Sequence, residues 1–239
     1  MKMDDMIVPI VKSVPPSGIR KYFDMINEMK DVISLGIGEP DFVTPWNIRE
    51  EGIYSLEKGN THYSPNAGYM ELREEISKYL YRRFGIHYNP KGEIIVTVGG
   101  SEGIDAALRS LVSKGDEVII PEPCFVAYKP CTIFTGATPV VINLREEDQF
   151  RLTPELLENA ITEKTKVLIL PFPNNPTGAI MTKKDLEGIV EVLKDKDIVV
   201  ISDEIYAELT YDEQHVSIAS FPEMREKTLL ISGFSKAYA

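Results

Sequence analysis

Four stretches of this sequence combine residue types that do chemistry with neighbours able to hold them still. Gly99-Gly100-Ser101-Glu102 opens a helical pattern. Its glycines permit close backbone approach, a helix N-terminus presents free N–H groups and a positive dipole end, and Ser101 adds a hydroxyl. By composition that is a phosphate cradle; a tight strand-to-helix turn with Ser101 as N-cap is the plainer alternative. Pro171-Phe172-Pro173-Asn174-Asn175-Pro176-Thr177-Gly178 sets paired asparagines among prolines, either a rigid loop that holds an amide in one orientation or an ordinary turn. Ser202-Asp203-Glu204-Ile205-Tyr206 puts a carboxylate behind Val199-Val200-Ile201. An unpaired charge there is expensive and demands a cationic partner, although Asp203 as a cap for the next turn is, taken alone, the plainer explanation. Ser232-Gly233-Phe234-Ser235-Lys236 closes on a lysine, alone no more than a solvated surface cation.

Each stretch follows a short β-branched run, and those runs are what must position the chemistry. They are Ile94-Ile95-Val96-Thr97-Val98, then residues 117–120, 138–142, 166–170, 197–201 and 228–231. Apolar nearly throughout and four to six residues long, they suit strands buried on both faces. Ile104, Ala107, Leu108 and Leu111 recur between them at helical spacing, as do Leu186, Ile189, Val190 and Leu193. Thr153-Pro154 and Thr182 start helices, and Gly85 caps the helix that carries Tyr69, Leu72, Ile76, Tyr79, Leu80 and Phe84. The expected fold is a layered α/β domain on a mostly parallel sheet, whose ligands gather at the carboxyl ends of the strands. The first forty-odd residues are loop-like, with Pro15-Pro16-Ser17-Gly18 and Gly36-Ile37-Gly38-Glu39-Pro40.

Composition narrows the function classes. Among 239 residues, 37 Asp and Glu oppose 26 Lys and Arg, a formal net charge of −11. Such a surface repels phosphate backbones and anionic lipid, so nucleic-acid and membrane partners are not expected. Cys124 and Cys131 are too far apart for a C-x-x-C pair, and His62, His87 and His215 do not cluster with them, so no metal or disulfide framework is indicated. No leader-like apolar stretch opens the chain, and the cytoplasm is the expected compartment. The P-loop ending is missing, and Gly36-x-Gly38 lacks the third glycine of a dinucleotide fingerprint.

Taken in order, the set resembles the class I/II aminotransferases, pyridoxal-phosphate enzymes of fold type I. The carrying motifs are Asn175-Pro176-Thr177-Gly178, Asp203-x-x-Tyr206 and Gly233-Phe234-Ser235-Lys236. Gly99-Gly100-Ser101 lies upstream, and Leu35-Gly36-Ile37-Gly38-Glu39-Pro40-Asp41 near the start. The resemblance implies a three-layer α/β/α large domain with a mostly parallel central sheet over residues 46–239. It further implies an arm and part of a small domain over residues 1–45, and a homodimer with shared active sites. It also implies roles. Lys236 would hold pyridoxal phosphate as a Schiff base and then move the proton between Cα and the cofactor's C4′. Asp203 would pair with the pyridine nitrogen, making the ring an electron sink. Asn175 and Tyr206 would hydrogen-bond its phenolic oxygen, and Phe125 would stack on the ring. Gly100, Ser101 and Glu102 would hold the phosphate, with Ser235 or Ser232 as an addition. Tyr63 would reach a neighbour's phosphate, and Gly38 would meet the substrate carboxylate.

The family's pattern places one arginine shortly after the lysine and another in the small domain to clamp the substrate's α-carboxylate. Neither falls within a chain ending at Ala239, and Arg20 and Arg49 lie in the wrong places to replace them. The sequence is therefore expected to be the amino-terminal portion of an aminotransferase moving an amino group from an L-amino acid to a 2-oxo acid. A carbon–sulfur β-lyase would use the same residues, and a non-catalytic fragment is the reading from another class.

Overall fold

The computed structural model describes residues 3–16, 18, 25, 33 and 38–239. Ser17, Arg20 and Leu35-Gly36-Ile37 of the sequence motifs lie outside the described residues.

Five of the six apolar runs form strands: β1 Glu117–Glu122, β2 Thr138–Asn143, β3 Thr165–Leu170, β4 Val199–Asp203 and β5 Thr228–Ile231. They make one sheet in the order β2-β1-β3-β4-β5, with every pair parallel. The sixth run, residues 94–98, is extended but is not a strand. Val96 donates its N–H to the Ala67 carbonyl at 3.1 Å, and the side chains of Ile95 and Val98 are 68% and 89% exposed. β-Branched residues favour an extended backbone, yet a strand also needs a neighbour to complete its ladder. None of the described strands pairs with this segment.

Strand side chains alternate between two helical layers, as a period of two requires. Ile119, Leu168, Leu170 and Val200 face one side. There they meet α6 Pro154–Ala160, α7 Lys183–Leu193 and α8 Pro222–Arg225 through Leu157, Leu186, Ile189, Leu193 and Met224. Val118, Ile120, Val167, Ile169 and Ile201 face the other, against Ile104 and Leu108 of α4 Gly99–Leu111 and Tyr128 of α5 Tyr128–Phe134. The expected three-layer α/β/α arrangement is what forms. Each fully buried Leu or Ile stabilises it by about 1.5–3 kcal/mol, and Leu193→Ala would open a cavity at a side chain with no exposed surface.

The remaining helices are α1 Pro9–Lys12, α2 Trp46–Glu57, α3 Met70–Phe84 and α9 Phe234–Ala237. α3 ends at Gly85 in the left-handed conformation, φ 70°, as its sequence suggested. Its inner face is less apolar than expected. Ser77 and Arg73 are buried there, donating to the carbonyls of Tyr88 at 2.6 Å and Pro90 at 2.8 Å. α7 starts with a reciprocal Thr182/Asp185 capping box. It ends under Lys227, whose ammonium donates to the carbonyls of Leu193, Lys194 and Lys196 at 3.1, 2.9 and 2.9 Å. One side chain thereby ties together the last residue of α7, its C-cap and the turn that follows. α2 buries none of its residues.

The connection leaving β1 runs to β2 on one flank, and the connection leaving β3 runs to β4 on the other. The crevice outside the carboxyl ends of β1 and β3 is therefore a topological switch point, where parallel sheets bind ligands. Among the described residues no helix is long and apolar enough to cross a membrane, and no group of three or more His, Cys, Asp or Glu is placed to hold a metal.

Candidate active site

The loops after β1 and β3 meet at that switch point. Asn174 is buried and donates its amide to the Pro123 carbonyl at 3.2 Å, joining the two loops. Its Oδ1 accepts from the Thr177 N–H at 3.2 Å and the Thr177 hydroxyl at 2.9 Å, so the side chain has one available orientation. Asn175, next in sequence, is exposed, and its amide stands 3.5 Å from the Tyr206 hydroxyl. Asn174, which holds this loop, carried no signal in the sequence.

β4 delivers the next group. Ile201 faces the α4/α5 layer, and two residues later Asp203 follows it to that side. Burial pushes the Asp203 carboxyl up from its ordinary value, against hydrogen bonds from the Tyr128 hydroxyl at 2.7 Å and the Ile205 N–H at 3.2 Å. The second bond is the turn cap considered from sequence, and it leaves the other oxygen engaged elsewhere. Among the described residues no cation forms an ion pair with Asp203, and one face of its carboxylate requirement is unmet. Tyr128 comes from α5, 75 positions away; no sequence signal marked it. Phe125 is half-buried and meets Tyr128 edge to face, centroids 5.7 Å apart. Burial pushes the thiol of nearby Cys124 up to about 12.

Lys236 sits on α9, half-buried, with its amine 5.8 Å from the centroid of the Tyr206 ring and donating to the Gly38 carbonyl at 3.0 Å. Burial, and then the Asp203 charge, push the Tyr206 phenol up from its ordinary value. Lys236, Tyr206 and Asn175 thus form one connected group, with Gly38 closing over the amine.

The N-terminus of α4 lies at the carboxyl end of β5, where a Cβ on Gly100 would stand 3.3 Å from Ile231. The helix begins at Gly99 with Val98 as its cap, so Ser101 is not the N-cap. No side chain caps the helix; the Glu102 carboxylate, inside its first turn, reaches back and accepts from the Val98 N–H. First-turn N–H groups have no partner inside the helix and point at an anion's place. Ser101, Ser232 and Ser235 are exposed around this region. Tyr63 is fully exposed, at 105%, and joins none of these side chains.

Glu204 takes the opposite face of the sheet. It is buried and accepts from Ser202 at 2.9 Å and Ser217 at 2.7 Å, with His215 Nε2 at 2.8 Å. Farther along, Arg83 grips Glu208 with two bonds, 2.9 and 2.8 Å, and Tyr79 donates to the same carboxylate. Those bonds hold Glu208 below the usual carboxylate range and tie α3 to the segment that carries Tyr206.

The arrangement offers an amine for a carbonyl, a buried carboxylate for a protonated ring nitrogen, two hydrogen-bonding groups for an oxygen, and helix amides for a phosphate. The aminotransferase class I and II family matches residues 30–239. An aspartate aminotransferase of Pyrococcus abyssi is 48% identical over 227 residues, 95% of this chain and 58% of the relative. The aromatic-amino-acid aminotransferase 2 of Thermococcus litoralis is 45% identical over 96% of this chain and 59% of the relative. The structure of aspartate aminotransferase from Thermus thermophilus with maleate superposes with a TM-score of 0.91 at 35% identity, covering 98% of this chain and 61% of that one. The chain spans about three fifths of the length of these relatives. With the family matched over most of its length, the chain belongs to the class I and II aminotransferases.

Proposed function

We propose that the protein carrying this chain transfers an amino group from an L-amino acid to a 2-oxo acid with pyridoxal phosphate. Residues 46–239 are its cofactor domain and residues 1–45 an arm with part of a small domain. The observation that carries this reading is Asp203, a buried carboxylate served by two neutral donors and, among the described residues, no cation. A protonated pyridine nitrogen is the partner such a group lacks. Bound there, pyridoxal phosphate supplies an electron sink for the pair left at the substrate's Cα.

The chain's own residues do the rest. Asp203 keeps the proton on the ring nitrogen. Asn175 and Tyr206 hold the ring's phenolic oxygen, and Phe125 covers one face. Gly100, Ser101 and Glu102 present first-turn amides to the phosphate, with Ser235 adding a hydroxyl. Lys236 carries the cofactor and, once released, moves the proton from Cα. Gly38, against the lysine amine at 3.0 Å, is where the substrate carboxylate is read.

The reading includes a homodimer, with Tyr63 of one copy completing the other's phosphate site. Its support is apolar surface: α2 buries nothing, and Trp46 and Leu56 are 60% and 67% exposed. The reading includes a cytoplasmic compartment, whose reducing conditions suit the two free cysteines, Cys124 and Cys131.

Two experiments on the full-length protein test this. Borohydride reduction and peptide mapping are expected to put the pyridoxyl label on Lys236; a label on Lys183 or Lys184 would refute the assignment. An assay of 2-oxoglutarate-dependent amino transfer against pyruvate release from cystathionine separates transamination from β-elimination, and pyruvate release alone would overturn the proposal.

A further inference from the structure

We infer that Tyr128 is a positioning residue for this chemistry: its hydroxyl holds Asp203 as the anion that keeps a cofactor's ring nitrogen protonated. The inference rests on the cofactor reading above and adds a residue to it.

Asp203 and Tyr128 are both buried, at 8% and 2% exposure, on the same side of the sheet. The phenol donates to Oδ2 at 2.7 Å while the Ile205 N–H takes Oδ1 at 3.2 Å. Both donors are neutral, so together they orient the carboxylate without cancelling its charge. The Ile205 bond is longer and closes a tight local turn, fixed by the backbone whatever the side chains do. Tyr128 is therefore the adjustable donor. Hydrogen bonds to an ionised carboxylate favour its charged form, and burial disfavours it. The balance decides where the proton shared between Asp203 and a ring nitrogen resides. With the phenol in place it stays on nitrogen, and the ring keeps its electron-withdrawing charge. Without the phenol, desolvation prevails, the proton moves to the carboxyl and the ring becomes neutral.

The placement of the tyrosine fits that role. Its ring is held edge-on by Phe125 and its hydroxyl by Asp203, so the phenol is fixed at both its ring and its tip. The Tyr128 hydroxyl is itself pushed up by burial and then by the Asp203 charge, which keeps it a donor throughout the neutral range. Among side chains, Glu204 adds negative charge near Asp203 from the opposite face and works against ionisation. The charge balance at Asp203 thus involves Tyr128, Tyr206 and Glu204, from α5, the turn after β4 and β4's own end.

The test is Tyr128→Phe in the full-length holoenzyme, a change that keeps the ring contact with Phe125. The readout is the pH midpoint of the bound cofactor's visible absorption band. The expected result is a midpoint raised by about one unit, a tenfold change in proton affinity, with kcat falling about tenfold or more and KM nearly unchanged. In an Asp203→Asn background the same change is expected to leave the midpoint where it was. An equal shift in both backgrounds marks a packing effect and overturns the inference. A normal midpoint in Tyr128→Phe at full cofactor occupancy overturns it too and leaves the proposed function standing. Failure of the unmodified protein to take up pyridoxal phosphate at all removes both.

Discussion

Two carboxylates leave the end of β4 in consecutive positions and meet opposite fates. Glu204, on the α7 side, has two serine hydroxyls and a histidine within hydrogen-bond reach. Asp203, on the α4/α5 side, has a phenol and one backbone N–H. Both are buried, so burial alone does not mark a functional carboxylate. The difference lies in satisfaction. A polar group with all its partners inside the fold is part of the scaffold, whereas one left short of partners costs stability until a ligand supplies them.

The largest expected effect separates the two by activity. Asp203→Ala is expected to lower kcat of the full-length enzyme about a thousandfold or more, ~4 kcal/mol of barrier; steady-state kinetics decide, and an active variant would reduce Asp203 to a turn cap. Glu204→Ala tests the other side. It strands three partners in the core and is expected to lower stability by about 3 kcal/mol. Denaturant titration measures it, and an unchanged midpoint would mean the cluster is not structural. Ser217→Ala removes one of those donors and is expected to cost about 1–2 kcal/mol in the same titration.

The smallest effect has the opposite sign. Burial raises the Asp203 carboxyl above its unfolded value, so the folded state binds that proton more tightly than the unfolded chain. The contribution is favourable at low pH and is lost as pH rises through the folded value. At neutral pH the ionised group is a cost. Asp203→Asn is thus expected to raise the melting temperature of the cofactor-free protein by a few degrees, ~1 kcal/mol, while removing activity. A lower melting temperature would show that Asp203, like Glu204, belongs to the scaffold.

The residues that sequence made visible are those lying just past an apolar run. Asn175, Asp203 and Lys236 end segments whose β-branched composition announces a buried strand, so their position at a sheet end follows from chain order alone. Thr182, Thr153 and Gly85 were visible for a related reason, since caps depend on neighbours three or four positions away. What stayed hidden depends on pairing across the fold. Tyr128 meets Asp203 over 75 positions, Asn174 meets Pro123 over 51, and Arg83 meets Glu208 over 125. No local pattern encodes such distances. Residues 94–98 fail in the converse way, carrying strand composition without a strand partner, because composition expresses a preference and a ladder needs two chains of atoms. Ser101 is not the cap because the helix starts two residues before it, at Gly99, and Glu102 is long enough to reach back to the Val98 N–H.

Lys227 has a consequence for reagents that attack amines. Its amine donates to three carbonyls at and just past the end of α7, so an aldehyde or an acylating agent reaches the nitrogen only after those three bonds are given up. Lys236 has a single carbonyl bond to give up, to Gly38. Lys227 becomes modifiable only when the last turn of α7 frays, so the rate at which it acquires a label is a clock for local opening in this layer of the protein.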